Sequence, residues 1–217
     1  MSELFDEVDE EVRREQLKKL WDKYSIVIIA LAILVVAGVG GWRGYQYLEA
    51  RKAAEAGEAF NKAVELADQG KHSDAEAAFS DLAGKAPSGY RMLARFRAAA
   101  ETAARDPQAA AKMFDDISAD HSVTSDFRAL ASIRAAGLVV DSTTYQSILQ
   151  RLEPLAGAGS TYRHAARELL ALSAWRANDA TAARQWLDQI ALDGETPPSV
   201  RARAEALQAL LPPVAKS

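Results

Sequence analysis

The stretch GKHSDAEAAFSDLAGKAP, residues 70–87, contains the pattern that decides the fold. Within it, a small residue, a large residue four positions later and an aliphatic residue three beyond that occupy Ala75, Phe79 and Leu82. At 3.6 residues per turn, these positions lie on one face of a helix. A glycine and a proline bound the stretch as turn residues. The stretch therefore predicts one amphipathic helix between two turns.

The same pattern recurs along the chain at nearly constant spacing, with steps of 35, 38 and 35 residues. We call the sixteen positions that share these steps the repeat columns: Ala63, Ala98, Ala136 and Ala171; Ala75, Ala110, Ile148 and Ala183; Phe79, Phe114, Leu152 and Leu187; Leu82, Ile117, Leu155 and Ile190. Each period predicts a helical hairpin whose apolar face is buried only when hairpins stack. Such an array needs a cap, and a closing helix is expected over residues 197–211.

Turn residues separate the two helices of three of these hairpins, at residues 69–71, 105–107 and 178–179. Asp106 is a good helix cap, and Pro107 suits the first position of the helix that follows. These turns support the division of each period into two helices.

Two features interrupt the regular pattern. The three-residue excess of the middle step is most simply placed in the polar residues 120–125. Pro154 falls where a helix interior is expected, and a proline there costs about 3 kcal/mol. The helix that follows Thr144 is therefore expected to end or bend at this proline.

Upstream of the repeats, SIVIIALAILVVAGVGGW at residues 25–42 contains no charged residue. A helix of this length rises about 27 Å, close to the hydrocarbon thickness of a bilayer. Tyrosine and tryptophan side chains flank the run, as in an interfacial aromatic belt. We predict a transmembrane helix over residues 24–47. The alternative is a cleaved signal peptide, but the preceding segment is long and mostly acidic rather than short and basic.

The distribution of charge predicts how the chain is oriented. Five Lys/Arg lie in residues 1–23, mostly next to the apolar run, and basic residues are sparser after it. This bias favours a cytoplasmic segment 1–23 and a repeat domain 48–211 on the other side of the membrane. Residues 212–217, after the closing helix, are expected to form a flexible tail. Gly40 and Gly44 would allow a second helix to approach closely, although glycine is also common in membrane helices.

Composition excludes several classes of function. The net charge is −4, and residues 1–23 contribute −3 of it, so the repeat domain is nearly neutral and shows no footprint for nucleic acid. There is no cysteine, and His72, His121 and His164 are not in a metal-ligand spacing. No phosphate-binding loop or nucleophile elbow is present. We predict no enzyme activity, no cofactor, no metal and no small-molecule substrate.

The second helix of the first hairpin resembles the tetratricopeptide motif at Gly70, Ala75, Phe79, Leu82 and Pro87. The signature glycine and tyrosine of the motif's first helix are absent, so the repeats are degenerate. The expected fold is all-α, with a single transmembrane helix followed by a tetratricopeptide-like α-solenoid of about four helical hairpins and a capping helix.

The whole chain resembles the YfgM-type ancillary subunits of the bacterial Sec translocon. The resemblance rests on FDEVDEEVRRE at residues 5–15, on one membrane helix that ends in GWR at residues 41–43, and on the divergent repeats. It implies a periplasmic repeat domain anchored in the bacterial inner membrane. It also implies association with the Sec channel complex, with a membrane-anchored periplasmic chaperone of the prolyl-isomerase class and with emerging polypeptides.

Two non-enzymatic functions remain open from the residues alone. One is a scaffold beside the translocon, and the other is a periplasmic adaptor in envelope maintenance, cell-division coordination or stress signalling. The resemblance to tetratricopeptide arrays implies that first helices line the binding face. Five arginines on predicted first helices are therefore candidates for binding an acidic partner, with ordinary solvated arginines as the alternative: Arg91, Arg95, Arg128, Arg163 and Arg167.

Overall fold

The computed structural model describes residues 3–213, without the side chains of residues 3–13, 15, 16 and 28. Over this part of the chain the secondary structure is helical throughout, which confirms the all-α prediction. The helices are α1 Glu3–Asp68, α2 His72–Lys85, α3 Ser88–Ala103, α4 Pro107–Ser118, α5 Ser125–Val139, α6 Tyr145–Leu152, α7 Arg163–Arg176, α8 Ala180–Leu192 and α9 Pro198–Ala209. The chain divides into two compact units, Met1–Ala54 and Glu55–Ser217.

In the first unit, α1 carries the apolar run without a break. Its Ile29–Asp68 portion contains a window long and apolar enough to cross a membrane, and none of that window is buried. The large apolar side chains described in the run are exposed, including Ile26, Leu34 and Val36. Such a surface is expected of a helix that faces lipid. The membrane segment 24–47 and its cytoplasmic flank remain predictions.

In the second unit, the helices pair into the expected hairpins. The end of α1, from residue 55, packs on α2 through Ala63 and Phe79. The remaining pairs are α3 with α4, α5 with α6 and α7 with α8, while α9 packs on both α7 and α8. Four hairpins and a closing helix are therefore confirmed, as is the closing position of the helix predicted for residues 197–211.

The repeat columns form the core of this unit. Every column residue is buried except Leu155, which is partly exposed. The exception follows from Pro154, which lacks a backbone N–H and ends α6 at Leu152. A short 3₁₀ turn, Glu153–Leu155, continues the chain and carries Leu155 away from the regular helical register. The predicted helix end is confirmed.

The turns also match their sequence signals. The Asp106 side chain accepts hydrogen bonds from the backbone N–H groups of Gln108 and Ala109, and Pro107 is the first residue of α4. Gly70 has a φ of 75°, a backbone conformation that glycine adopts without a steric penalty. The link from α4 to α5 covers residues 119–124, where the extra residues were expected. Of the predicted tail 212–217, residues 214–217 lie outside the described part of the chain.

Candidate partner-binding groove

A groove of about 610 Å³ lies between the first helices of the second, third and fourth hairpins, α3, α5 and α7. Most of its wall is apolar, and small residues on α3 leave it open. The residues that form this apolar surface include Ala100, Ala103, Leu130, Ile133, Leu138 and Leu169. Its volume falls within the range of about 300–1,000 Å³ that is typical of ligand pockets.

Three polar side chains lie at the groove: Arg134, Tyr162 and Glu168. Two guanidinium nitrogens of Arg203, on α9, donate to the Glu168 carboxylate: Nε, and Nη2 across 2.8 Å. Arg134 is exposed and has no hydrogen bond or ion pair with any residue that the structure describes. The available charge at the groove is therefore positive and belongs to Arg134.

None of the five predicted arginines lies in the groove lining, and three of them contact groups elsewhere in the domain. Arg91 donates to the Ala86 carbonyl across 3.2 Å, and Arg95 forms an ion pair of 2.6 Å with Asp120. Nη1 of Arg128 lies 3.0 Å from Nδ1 of a histidine in the preceding loop. These three guanidinium groups therefore have neighbours within their own domain.

The other two arginines converge on Asp193, in the loop between α8 and α9. Nε of Arg163 donates to the Asp193 carboxylate across 2.8 Å, and Nη1 of Arg167 donates to the same oxygen across 2.9 Å. Arg167 is 7% exposed and also donates to the carbonyls of Ala156 and Gln189. This cluster ties the loop that precedes α9 to helix α7.

The cluster sets the ionisation of its members. Hydrogen bonds from Arg163, from the backbone N–H of Glu195 and from Arg167 hold the pKa of Asp193 well below its usual range. Burial, and then the positive charge of Arg163, lower the pKa of His164 beside it. In a second loop, hydrogen bonds from Ser122 and Arg95 lower the pKa of Asp120 from 3.8 to about 2.

These shifts predict that the domain loses stability in acid. Each group has a lower pKa when folded than when unfolded, so the unfolded chain binds the proton more tightly and acid favours unfolding. The loss should begin as the pH falls below 6.5, the ordinary pKa of His164, and steepen from about pH 4 to about pH 2 as Asp120 is protonated. Urea unfolding followed by circular dichroism across this range will measure it.

The matched variants are Asp120→Asn and Asp116→Asn. The Asp116 side chain has no hydrogen bond or ion pair with the described residues, so its replacement should leave the acid dependence intact. Asp120→Asn should reduce the slope between about pH 4 and about pH 2, where Asp193 still contributes to the loss. Equal curves for the two variants would contradict the assignment.

The histidines occupy three separate places in the fold. Nδ1 of His72 lies 2.8 Å from a carboxylate oxygen of Glu101, His121 lies beside Arg128, and His164 lies 3.2 Å from the Thr196 hydroxyl. Among the residues with described side chains, no group of three or more His, Cys, Asp or Glu could hold a metal ion. Each histidine has a structural neighbour instead.

The predicted helix-contact glycines, Gly40 and Gly44, lie on the exposed surface of α1. A Cβ atom built at either position meets no atom within 4 Å. No described residue of the chain therefore packs closely against α1 at these two glycines. Their role in contacting a second membrane helix remains a prediction.

Arg134 is the groove residue that sequence reasoning missed, although the repeat register contains the signal. The register places Arg134 in a column with Asn61, Phe96 and Leu169. At this position the second and fourth hairpins have the large apolar residues Phe96 and Leu169, whereas the third hairpin has Arg134. A charged residue at such a position is a departure from the packing pattern, and it could have been singled out from the columns alone.

Comparison with known protein families finds one match. The family model described as a tetratricopeptide repeat-like domain matches residues 18–159. This range covers the whole apolar run and the first three hairpins, including two of the groove helices, α3 and α5. Searches of curated proteins and of solved structures find no significant match.

Proposed function

Because the chain belongs to the tetratricopeptide repeat-like domain family, we propose that it is a membrane-anchored scaffold that binds other proteins and catalyses no reaction. Domains of this family are generally non-catalytic interaction scaffolds. The observation that carries the proposal is the open and largely apolar groove between α3, α5 and α7.

The anchor in this proposal is residues 24–47, with residues 1–23 in the cytoplasm and residues 48–211 in the periplasm. The exposed apolar face of α1 supports it, since water would not favour such a surface. The cluster of Lys/Arg before the apolar run supports the orientation. The compartment, the bacterial inner membrane, follows from the resemblance of the N-terminal segment and its anchor.

The proposed partners are the Sec channel complex and a membrane-anchored periplasmic chaperone of the prolyl-isomerase class. Emerging polypeptides are a further proposed ligand, since they present apolar segments before they fold. Anchoring in the same membrane as a partner raises the effective concentration of the repeat domain. Contacts that are weak in solution would then suffice for a stable association.

The predicted arginines and glycines have a place in this proposal. Arg91, Arg95 and Arg128 keep part of their surface accessible and are proposed to meet an acidic patch of a partner. Arg163 and Arg167 are proposed to act by holding the loop before α9 in position. Gly40 and Gly44 are proposed to face another membrane helix.

Site-specific photo-crosslinking in native membranes tests the proposal. A photoreactive residue at Leu130 in the groove should crosslink to the Sec channel or to the prolyl-isomerase chaperone. The same residue at Lys112, which is exposed on α4 outside the groove, is the control and should give little product. Replacing residues 24–47 by an unrelated transmembrane helix keeps the tether but removes Gly40 and Gly44, so it should lower the yield of these crosslinks. Exporting residues 48–217 without an anchor should lower it further.

Two results would contradict the proposal in different ways. Equal crosslinking from Leu130 and Lys112 would remove the groove from consideration. Crosslinks from Leu130 to cell-division, envelope-maintenance or stress-signalling proteins alone would favour the adaptor function over association with the translocon. Wild-type crosslinking by the domain without its anchor would contradict the contribution of tethering.

A further inference from the structure

We propose that the groove selects a peptide segment in which an acidic side chain is flanked by apolar ones. In this assignment, Arg134 binds the carboxylate and Gly137 makes room for an apolar neighbour. The inference rests on the proposed function, because it names the ligand class of the groove described there.

The first argument is the position of Arg134 in the repeat register. Its equivalents Phe96 and Leu169 are partly buried and pack against the core of this domain. Arg134 is exposed and has no hydrogen bond or ion pair with the described residues. Its guanidinium group therefore contributes no polar contact to the fold, and its donors point to no internal acceptor. A planar guanidinium is well suited to bind a carboxylate through two parallel hydrogen bonds.

The second argument is charge complementarity. Glu168 is the other charged residue of the groove lining, and Arg203 neutralises it through two hydrogen bonds from α9. The carboxylate of Glu168 is thus satisfied within the domain, whereas the cation of Arg134 is not. The positive charge of Arg134 would attract an acidic ligand and repel a basic one.

The third argument is a glycine that the fold does not require. Gly137 lies one turn after Arg134 on α5 and lines the same groove. A glycine inside a helix costs about 0.5–1 kcal/mol relative to alanine. At Gly57 there is an internal reason, since a Cβ atom would lie 2.8 Å from the Tyr90 hydroxyl. At Gly137 a Cβ atom would meet nothing within 4 Å, so the absent side chain leaves space in the groove itself.

The position of Arg134 indicates that the bound carboxylate belongs to an internal side chain of the peptide and not to the C-terminus of the peptide. Arg134 is on α5, the middle of the three groove helices. Apolar or small residues lie on α3 to one side, at Ala100 and Ala103, and on α7 to the other, at Ala165 and Leu169. A peptide that covers both sides must pass Arg134 in its interior. The recognised pattern is therefore an Asp or Glu with apolar residues before and after it.

Selection from a random phage-displayed peptide library tests this assignment, with the full chain in lipid nanodiscs as bait. Peptides enriched on the wild-type chain should combine apolar residues with an internal Asp or Glu. Arg134→Glu should shift the enrichment from acidic to basic residues. For a synthetic peptide of the enriched sequence, Arg134→Gln should weaken binding about ten-fold, as expected for a lost charge-assisted hydrogen bond. Gly137→Leu, which fills the groove, should abolish binding of the same peptide.

Matched controls are available outside the groove. Lys112→Glu, on α4, makes the same change of charge as Arg134→Glu. Gly84→Leu makes the same substitution as Gly137→Leu, at an exposed glycine of α2 around which a Cβ atom also meets nothing within 4 Å. Both should bind the enriched peptide as the wild-type chain does. Helicity by circular dichroism and the urea midpoint should be retained in all variants, because neither Arg134 nor Gly137 packs against the fold.

The contradicting outcomes separate this inference from the proposed function. The acidic preference would be overturned if the enriched peptides were apolar, contained no acidic residue and lost binding to Gly137→Leu. The proposed function of the groove would then still stand. Peptides whose binding is unaffected by Gly137→Leu would overturn both. Self-association of the chain that Gly137→Leu abolishes would identify a second copy as the occupant and overturn the inference.

Discussion

Replacing Phe79 by alanine should lower the free energy of unfolding of the repeat domain by about 3–5 kcal/mol. Phe79 is 0% exposed and packs edge to face on Phe60, with ring centroids 5.1 Å apart. The guanidinium group of Arg97 lies over the same ring at 5.3 Å. Removing the ring would leave a cavity that the surrounding helices cannot fill, since the side chains of the neighbours Ala63 and Ala75 are methyl groups that cannot reach into it.

The measurement is urea unfolding of the full chain in detergent micelles, followed by circular dichroism. Leu187→Ala, in the same repeat column of the fourth hairpin, should cost about 2–5 kcal/mol. Leu93→Ala is the control, because Leu93 is an apolar residue of α3 that is 45% exposed, and its loss should cost little. If Phe79→Ala costs no more than Leu93→Ala, the repeat register is wrong.

Replacing Arg167 by methionine should destabilise the domain by about 2–4 kcal/mol. Methionine retains most of the volume but none of the hydrogen bonds. The buried carbonyl of Ala156 would lose its donor from Arg167, and Asp193 would keep only Arg163 as its arginine partner. An acceptor left unpaired in a buried place loses its hydration without any compensating bond, which is why the cost is large.

Arg134→Met is the matched control for this second prediction. It removes the same charge from an exposed arginine that has no partner among the described residues, so stability should change by no more than about 0.5 kcal/mol. Both variants are measured by urea unfolding at neutral pH. Equal stability of Arg167→Met and Arg134→Met would show that the Asp193 cluster does not stabilise the loop before α9.

These expectations bear on how the predicted arginines should be tested for partner binding. A substitution of Arg167 is expected to destabilise the domain as well. If such a variant no longer bound a partner protein, the loss of binding could not be separated from the loss of stability. Charge reversal at Arg91 or Arg128 is a cleaner test. Both lie nearer the surface, and their hydrogen bonds are made to groups in the adjacent loops.

A large part of the fold was predictable from local patterns. The columns that contain Ala75, Phe79 and Leu82 identified the helical hairpins, because a helix buries residues at a fixed spacing whatever its partner. Asp106 and Pro107 located a helix start, and Pro154 located a helix end, because capping and the missing proline N–H act within a few residues. The apolar run was equally local, since its length and lack of charge are properties of the stretch itself.

The sequence by itself therefore determined the class of the protein: an apolar helix followed by stacked hairpins without a recognisable catalytic motif. Only the tertiary structure decided which polar groups are satisfied. Arg163 and Asp193 are separated by 30 residues, and Glu168 and Arg203 by 35, so their pairing depends on how successive helices stack. The same stacking leaves Arg134, beside the open space at Gly137, without a partner among the residues that the structure describes. Side-chain pairing across hairpins is set by three-dimensional distance, which no local period encodes.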